Sequence, residues 1–492
     1  MGLGMGRTRG SVAAACLHVL LAAICVAALL CGGDSMSGAP YPALHAHERV
    51  SSQPETVALP QPLSDALDGP VEVPGGYGMA LTAHVGEHHV HASWTYVDGV
   101  PGLNTHVDSW LLGLLDAAAP AGGRYRPAMA LNAQQPAGQE LTVSAAPVQA
   151  AGTVIVVRQK VRTSGTGGTV SERSETVYVD TVSGAVRGGA ELMRPEAVPG
   201  IQSRMVGVPA QIATPVRQDI PVGDLVLKPS GELAVSAEVP GNPGGNVTLT
   251  MNAADAGAVL SDYGRQVLGQ LNAAAVPRPA TAPAARHVNC DIVPCAALTY
   301  DDGPDARTTP QLLAILAERK AQATFFMTGS NTAANPATAK QVADAGFAIG
   351  NHTFSHPYLT KLPTPAVKKE MERTDAAILA ATGSTPAMMR PPYGAADAAV
   401  QGAVGKPLII WAVDSLDWQS KNPAVFVPKV LKEVTPGAVV LMHDVQPTTI
   451  AGQQELMSTL QAQGYQLVSV PQLFEGTPLV PGHVYRSRPV RQ

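Results

Sequence analysis

Two adjacent carboxylates, Asp301 and Asp302, close a short apolar run that begins Ala296-Ala297-Leu298, and Gly303-Pro304 then turns the chain. Neighbouring side chains at a strand end point in different directions, so the two aspartates can serve one site in two roles. About fifty residues later come His352 and His356, in Asn351-His352-Thr353-Phe354-Ser355-His356-Pro357. Histidines four apart lie on the same side of a helical turn, which suits two ligands of one metal. One carboxylate and two imidazoles, with positions left for water, is the donor set of a catalytic zinc site.

Three further segments follow in order. They are Arg390-Pro391-Pro392-Tyr393-Gly394, then Trp411-Ala412-Val413-Asp414-Ser415-Leu416-Asp417-Trp418, then Val440-Leu441-Met442-His443-Asp444. Each closes an apolar or β-prone run, where α/β barrels place their chemistry. Any one of them has a plainer reading, since Asp, Gly and Pro are ordinary turn residues. Together, in this order and spacing, the five resemble the motifs of the polysaccharide deacetylases, carbohydrate esterase family four, over roughly residues 287–475.

The resemblance implies roles that agree with the chemistry of the residues. Asp302, His352 and His356 would hold a divalent metal, with Zn2+ expected first and Co2+ or another divalent ion as alternatives. Asp301 would be the general base, oriented and kept ionised by Arg390. His443 would be the general acid that protonates the leaving amine, with Asp414 holding its imidazole and raising its pKa. A backbone N–H near Tyr393 would receive the oxyanion. Leu441 and Trp418 resemble the apolar walls that receive the acetyl methyl group. The implied reaction is hydrolysis of the N-acetyl amide of amino sugars, with release of acetate. Peptidoglycan N-acetylglucosamine is the expected polymer unit, chitin or chitooligosaccharides the alternative, and acetylxylan, as an ester, the third.

The 492 residues are enough for two or more domains, and a net charge of −5 without long basic runs argues against nucleic acid as a partner. Residues 12–31 form an apolar stretch preceded by Arg7 and Arg9, as in an export signal. A cleaved signal, a retained membrane anchor and a lipidated Cys31 all put the remainder outside the cytoplasmic membrane. Cell-envelope or extracellular localisation is therefore expected. Three of the five cysteines, Cys16, Cys25 and Cys31, lie in that stretch. The remaining pair, Cys290 and Cys295, reads as a disulfide in an oxidising compartment, worth roughly 2 kcal/mol on the chain-entropy estimate. A Cys-x4-Cys metal site is the alternative.

Periodicity divides the chain into segment 1–33, a flexible tether over 34–70, an accessory α+β module over 71–272, an Ala/Pro linker over 273–286 and the catalytic part over 287–480. In the module, residues 79–96 alternate like a strand and 107–115 space like a helix face. Residues 153–163 and 169–180 suggest a hairpin, 232–239 and 247–251 two strands, and 253–271 one closing helix. His84, His88, His89 and His91 read as a solvated strand face. In the catalytic part, strands at 323–327, 347–350, 408–413, 438–442 and 465–468 alternate with helices at 310–320, 337–345, 365–382, 424–433 and 454–463. That pattern predicts an α/β fold, a distorted (β/α) barrel of about seven strands.

Overall fold

The structure, a computed structural model, describes residues 70–132, 138–165, 170–206, 222–238, 246–275 and 286–491. The expected signal segment, nearly all of the tether and most of the Ala/Pro linker lie outside the described residues. Among the described residues, no helix is long and apolar enough to cross a membrane.

The catalytic part is α/β. Its parallel sheet runs in the order Ala348–Asn351, Thr324–Met327, Cys295–Asp301, Ala438–His443, Val413–Asp414. Every residue of Cys295–Asp301 is buried. An unbroken buried run of this kind belongs to a parallel strand covered on both faces. Gln466–Val468 pairs beside its first residues, and Thr324–Met327 pairs beside its last. Asn351 bridges to Met389, and Met389 to Leu408. Four residues further on, the Ala412 N–H donates to the Val439 carbonyl. Residues 408–414 therefore hydrogen-bond to the Met389 segment at one end and to Ala438–His443 at the other. This stretch is two short strands, Leu408–Ile409 and Val413–Asp414, rather than the single strand expected over 408–413.

The strand ends are tied to one another in a way that sets the site. The His352 N–H donates to the Met327 carbonyl and the Arg390 N–H to the Asn351 carbonyl. Each motif residue thus emerges from the carboxyl end of one strand while its backbone is pinned to the neighbouring one. Gly350 is required here, because a Cβ on it would lie 2.3 Å from the Phe326 ring. The helix Thr364–Thr382 packs behind this edge and ends at Gly383, whose φ of 79° supplies the left-handed helix stop that glycine favours. Helix Pro447–Ala462 begins seven residues earlier than expected, with Pro447 in its first turn.

The preceding module builds a six-stranded sheet in the order Gly76–Val85, His88–Val97, Gln139–Ala151, Val154–Ser164, Val170–Asp180, Val186–Gly188. The 79–96 run is a hairpin, not one strand. Helix Pro101–Ala118 carries the chain across so that His88–Val97 and Gln139–Ala151 pair in parallel. A three-stranded antiparallel sheet, Asp224–Leu227, Leu233–Glu238 and Asn246–Met251, covers part of the far face. The closing helix is two, Ala253–Val259 and Asp262–Leu271, because Ser261 caps the second by accepting from the Gly264 N–H. The four module histidines are half-buried, with His84 opposite His89 and the His89 and His91 rings 4.5 Å apart.

Module and catalytic part share one apolar cluster, which includes Leu103, Leu111, Ile292, Val293, Val470 and Phe474. The Tyr125 hydroxyl donates to the Ile292 carbonyl at 2.7 Å, within the loop that the Cys290–Cys295 disulfide closes. His287 sits between Asp108 at 2.7 Å and Glu475 at 3.2 Å. These two carboxylates raise His287 to about 9 against the opposing effect of its burial.

Candidate active site

Asp302, His352 and His356 converge, with one potential ligand atom from each lying within 4.8 Å of the others; no second such group occurs among the described residues. His352 Nε2 lies 3.6 Å from Asp302 Oδ1, and His356 Nε2 lies 3.5 Å from the same oxygen. The remaining ring nitrogens are also engaged. His352 Nδ1 is 2.8 Å from the Arg390 carbonyl, which can only accept, so Nδ1 carries the proton and Nε2 keeps its lone pair. His356 Nδ1 is 3.2 Å from the Tyr393 hydroxyl. A single segment, Arg390 to Tyr393, therefore orients both imidazoles from behind, as outer partners of metal ligands do. Burial lowers His352 to about 3, so it stays neutral, as a ligand must. Donor types, their convergence and this neutral imidazole fit a divalent ion.

Next to this group lies an ion pair. Arg390 is fully buried; its Nη1 donates to Asp301 Oδ1 at 2.7 Å, and its Nε and Nη2 donate to the Ile409 and Ile410 carbonyls. Its guanidinium also stacks 4.2 Å from the centroid of the Phe326 ring. Arg390 pairs with Asp301, as expected, but the direction of the shift differs from the simple charge argument. Burial pushes Asp301 above the ordinary carboxylate range, and the cations Arg390 and His443 only partly counter it.

Asp301 and His443 are register partners on adjacent parallel strands, so both leave the sheet at one level. The partner of His443 is Asp417, not Asp414. Asp417 Oδ1 lies 2.9 Å from His443 Nδ1, and Asp417 Oδ2 accepts from the His443 N–H at 2.9 Å and from the Thr449 hydroxyl at 2.6 Å. Asp414 pairs in register with Leu441, two residues short of His443, and its carboxylate accepts from the Leu416 N–H instead. Leu416, with φ 56°, reverses the chain so that Asp417 opens a short helix against His443. Burial opposes a charge on His443, but Asp417, with Asp301 and Asp302, raises it to about 9.

Leu441 is buried, whereas Tyr393 and Trp418 are exposed. Tyr393 has φ 61° and its ring stacks on Tyr358 with centroids 3.8 Å apart. Asp302, Thr353 and His356 also have positive φ, at 73°, 63° and 57°. Strained backbone of this kind concentrates where surrounding structure holds a functional geometry. Asp444, fully buried behind Gly303, was not singled out from sequence. A Cβ on Gly303 would lie 2.3 Å from its Oδ1, so only glycine fits there. Burial raises Asp444 to about 7, and its Oδ2 accepts from the Thr309 hydroxyl.

Arrangements of this kind define a hydrolase class, and comparison with known proteins gives the family. The profile of the family "Polysaccharide deacetylase" matches residues 289–406. Over 178 residues, 36% of this chain, it is 40% identical to the peptidoglycan-N-acetylglucosamine deacetylase PgdA of Listeria monocytogenes, spanning 38% of that protein's length. It is 32% identical over 186 residues to a peptidoglycan-N-acetylglucosamine deacetylase of Bacillus cereus, covering 36% of this chain and 68% of the relative. It is also 32% identical over 192 residues to a chitooligosaccharide deacetylase of Rhizobium leguminosarum bv. trifolii, covering 36% and 89%. The chain belongs to the polysaccharide deacetylase family.

Proposed function

We propose that this chain is an exported, divalent-metal-dependent deacetylase that hydrolyses N-acetyl groups of amino sugars in a polysaccharide, with peptidoglycan N-acetylglucosamine as substrate. The observation that carries the reading is the meeting of three units at one set of strand ends. These are the Asp302–His352–His356 group, the Asp301–Arg390 pair and the His443–Asp417 pair. The named activity of the Listeria and Bacillus relatives supports the choice of polymer.

When bound by Asp302, His352 and His356, a Zn2+ or other divalent ion would supply Lewis acidity for the acetyl carbonyl and the attacking water. Asp301 takes a proton from the water that adds to the acetyl carbon, and Arg390 keeps its carboxylate aimed. Burial favours proton uptake by Asp301, and Arg390 and a bound cation would oppose it. The Tyr393 backbone N–H faces the carbonyl oxygen as charge develops on it. His443 then gives its proton to the departing nitrogen. The C–N bond breaks, acetate leaves with the water oxygen, and the sugar keeps a free amine. Asp417 holds the imidazole in the tautomer and charge state this requires. Leu441 and Trp418 enclose the acetyl methyl.

Around this site we read residues 287–480 as the catalytic domain, in a distorted barrel closed by residues 408–414. Residues 71–272 are read as an accessory module and 1–33 as the export segment that places the site in the cell envelope. Acetate release by the purified chain from peptidoglycan, chitin oligomers and acetylxylan, side by side, tests the polymer. Asp301→Asn should cost about 10²–10⁴ in turnover on the best substrate with its metal content retained. Near-normal turnover would remove Asp301 as the base. Release from chitin oligomers alone would move the assignment to the reaction named for the Rhizobium relative.

A further inference from the structure

The two histidines of the candidate metal site sit on a loop outside the regular strands and helices, between Ala348–Asn351 and Thr364–Thr382. Thr353 and His356 both adopt positive φ without being glycine. Between them, the consecutive N–H groups of Phe354 and Ser355 point the same way, as in the backbone concavities that take up anions. Here the anion is a side chain of the protein. Glu370 Oε2 accepts from the Phe354 N–H and the Ser355 N–H, both at 2.8 Å, and Glu370 Oε1 accepts from the Ser355 hydroxyl at 3.0 Å.

The same helix, Thr364–Thr382, holds the start of the loop. Asn351 accepts from the Thr353 N–H at 2.8 Å and donates to the Met371 carbonyl and to Asp375. One turn beyond, the Arg373 guanidinium lies 3.5 Å from the centroid of the Phe354 ring. The loop thus rests along one helix face, with a carboxylate at its tip. His352 has independent support, from its own N–H to Met327 and from its ring to Arg390. His356 is more exposed: its ring meets Asp302, Tyr393 and His352, while its turn is held on one side by the Gly329 and Ser330 N–H groups, which donate to the Thr353 and Phe354 carbonyls, and on the other by Glu370, which takes up the free N–H groups.

We infer that Glu370 is a positioning residue for the candidate metal centre, fixing the turn that presents His356; the inference rests on the metal site proposed above. It touches neither substrate nor ligand atoms and acts through the backbone of residues 354 and 355. Its removal should therefore show first in metal affinity, because a ligand that must be ordered on binding holds the ion less tightly.

The test is metal binding by the purified chain, with Zn2+ titrated against a competing chelator and the visible spectrum of the Co2+ form recorded. Glu370→Ala should weaken Zn2+ affinity by about 10- to 100-fold, the range for losing an outer-shell support. The Co2+ bands should change with it. Glu370→Gln keeps an oxygen for both N–H groups, and it should stay within about threefold of the parent. Ser355→Ala, which removes only one of the three bonds, should do the same. Should Glu370→Ala not fold, Glu370→Asp, shorter by one methylene, should fall about 5- to 10-fold. A purely structural role would lower the melting temperature of the metal-free protein and leave its Zn2+ affinity alone. Affinity within twofold of the parent in the alanine or aspartate variant overturns the inference, as does an equal loss in Glu370→Gln. Because the readout is binding, failure of every variant and the parent to release acetate would count against the proposed reaction and leave this role standing. Failure of the parent to bind any divalent ion would remove both.

Discussion

Replacing Asp417 with Asn should move the alkaline limb of the activity profile, while the same change at Asp414 should not. His443 is raised to about 9 although burial opposes its charge, and Asp417 is the largest of the groups that raise it. Against an ordinary value of about 6.5, that is a preference for the charged imidazole of about 3 kcal/mol. With a neutral amide in its place, burial acts with far less opposition, and His443 should fall to about 6.5 or below. At pH 8 about nine in ten parent molecules carry the proton on His443, and in the variant about one in thirty would. Turnover at pH 8 should therefore drop about 30-fold from protonation alone, and the deficit should shrink toward pH 6. A pH-independent loss will add to it, because the amide cannot accept from the His443 N–H, its ring and Thr449 at once. Stability carries the same signature. A histidine with a raised folded value contributes fully below about 6.5 and loses that contribution as pH rises through about 9. Thermal melts of the parent should thus fall across that window, and those of Asp417→Asn should be flatter. Acetate release against pH, with ¹³C-labelled histidine followed by NMR, measures both. An unchanged alkaline limb in Asp417→Asn, or a larger shift in Asp414→Asn, would refute the assignment.

Changing His352 or His356 to Ala should abolish metal stoichiometry and acetate release together while circular dichroism stays native; full activity in chelator-treated protein would contradict the ligand set. Alkylation of the unreduced, exported protein should label neither Cys290 nor Cys295, and Cys290→Ser should cost about 2 kcal/mol in denaturant melts while leaving metal binding intact. His287→Gln should lower the melting temperature below pH 9 and less above it, because the parent loses the charge that His287 places between Asp108 and Glu475 as pH rises through about 9. Equal destabilisation at pH 7 and pH 10 would show that the imidazole contributes shape and not charge.

Much of the fold is legible because its strands are long apolar runs whose ends carry unusual polar residues. Thr324–Met327 and Ala438–His443 lie within two residues of their expected bounds, and Cys295–Asp301 carries the apolar run at 296–298 to the first of the two aspartates. The misses have local causes. Residues 253–271 keep a helical spacing throughout, so only the capping geometry of Ser261 separates the two helices. The strand Gln139–Ala151 is concealed by Ala, Gln and Pro, residues of low strand propensity, and is held by its two neighbours in the sheet. The docking of the module on the disulfide loop rests on contacts such as Tyr125 with Ile292, 167 residues apart, which no local pattern carries.

At the site, residue types were legible and partnerships less so. Asp414 and Asp417 look equivalent in sequence, and a strand running to its last polar residue favours the former. The distinction lies in one backbone angle, the positive φ of Leu416, which no branched or polar signal in that segment announces. The direction of the Asp301 shift has a similar origin. A sequence shows that an arginine is available to pair with a carboxylate; it does not show that both are buried beside Phe326. Without water, the cost of the Asp301 charge exceeds what a single guanidinium returns. Burial and Arg390 thus pull the Asp301 carboxyl in opposite directions, and a divalent ion held at Asp302 would add to the pull of Arg390. Burial favours proton uptake, Arg390 supplies the aim, and the two effects need the same enclosed strand end. Changing Arg390 to Lys should therefore cost more than its charge suggests. It would keep the cation and lose the fork that reaches Asp301, Ile409 and Ile410 together.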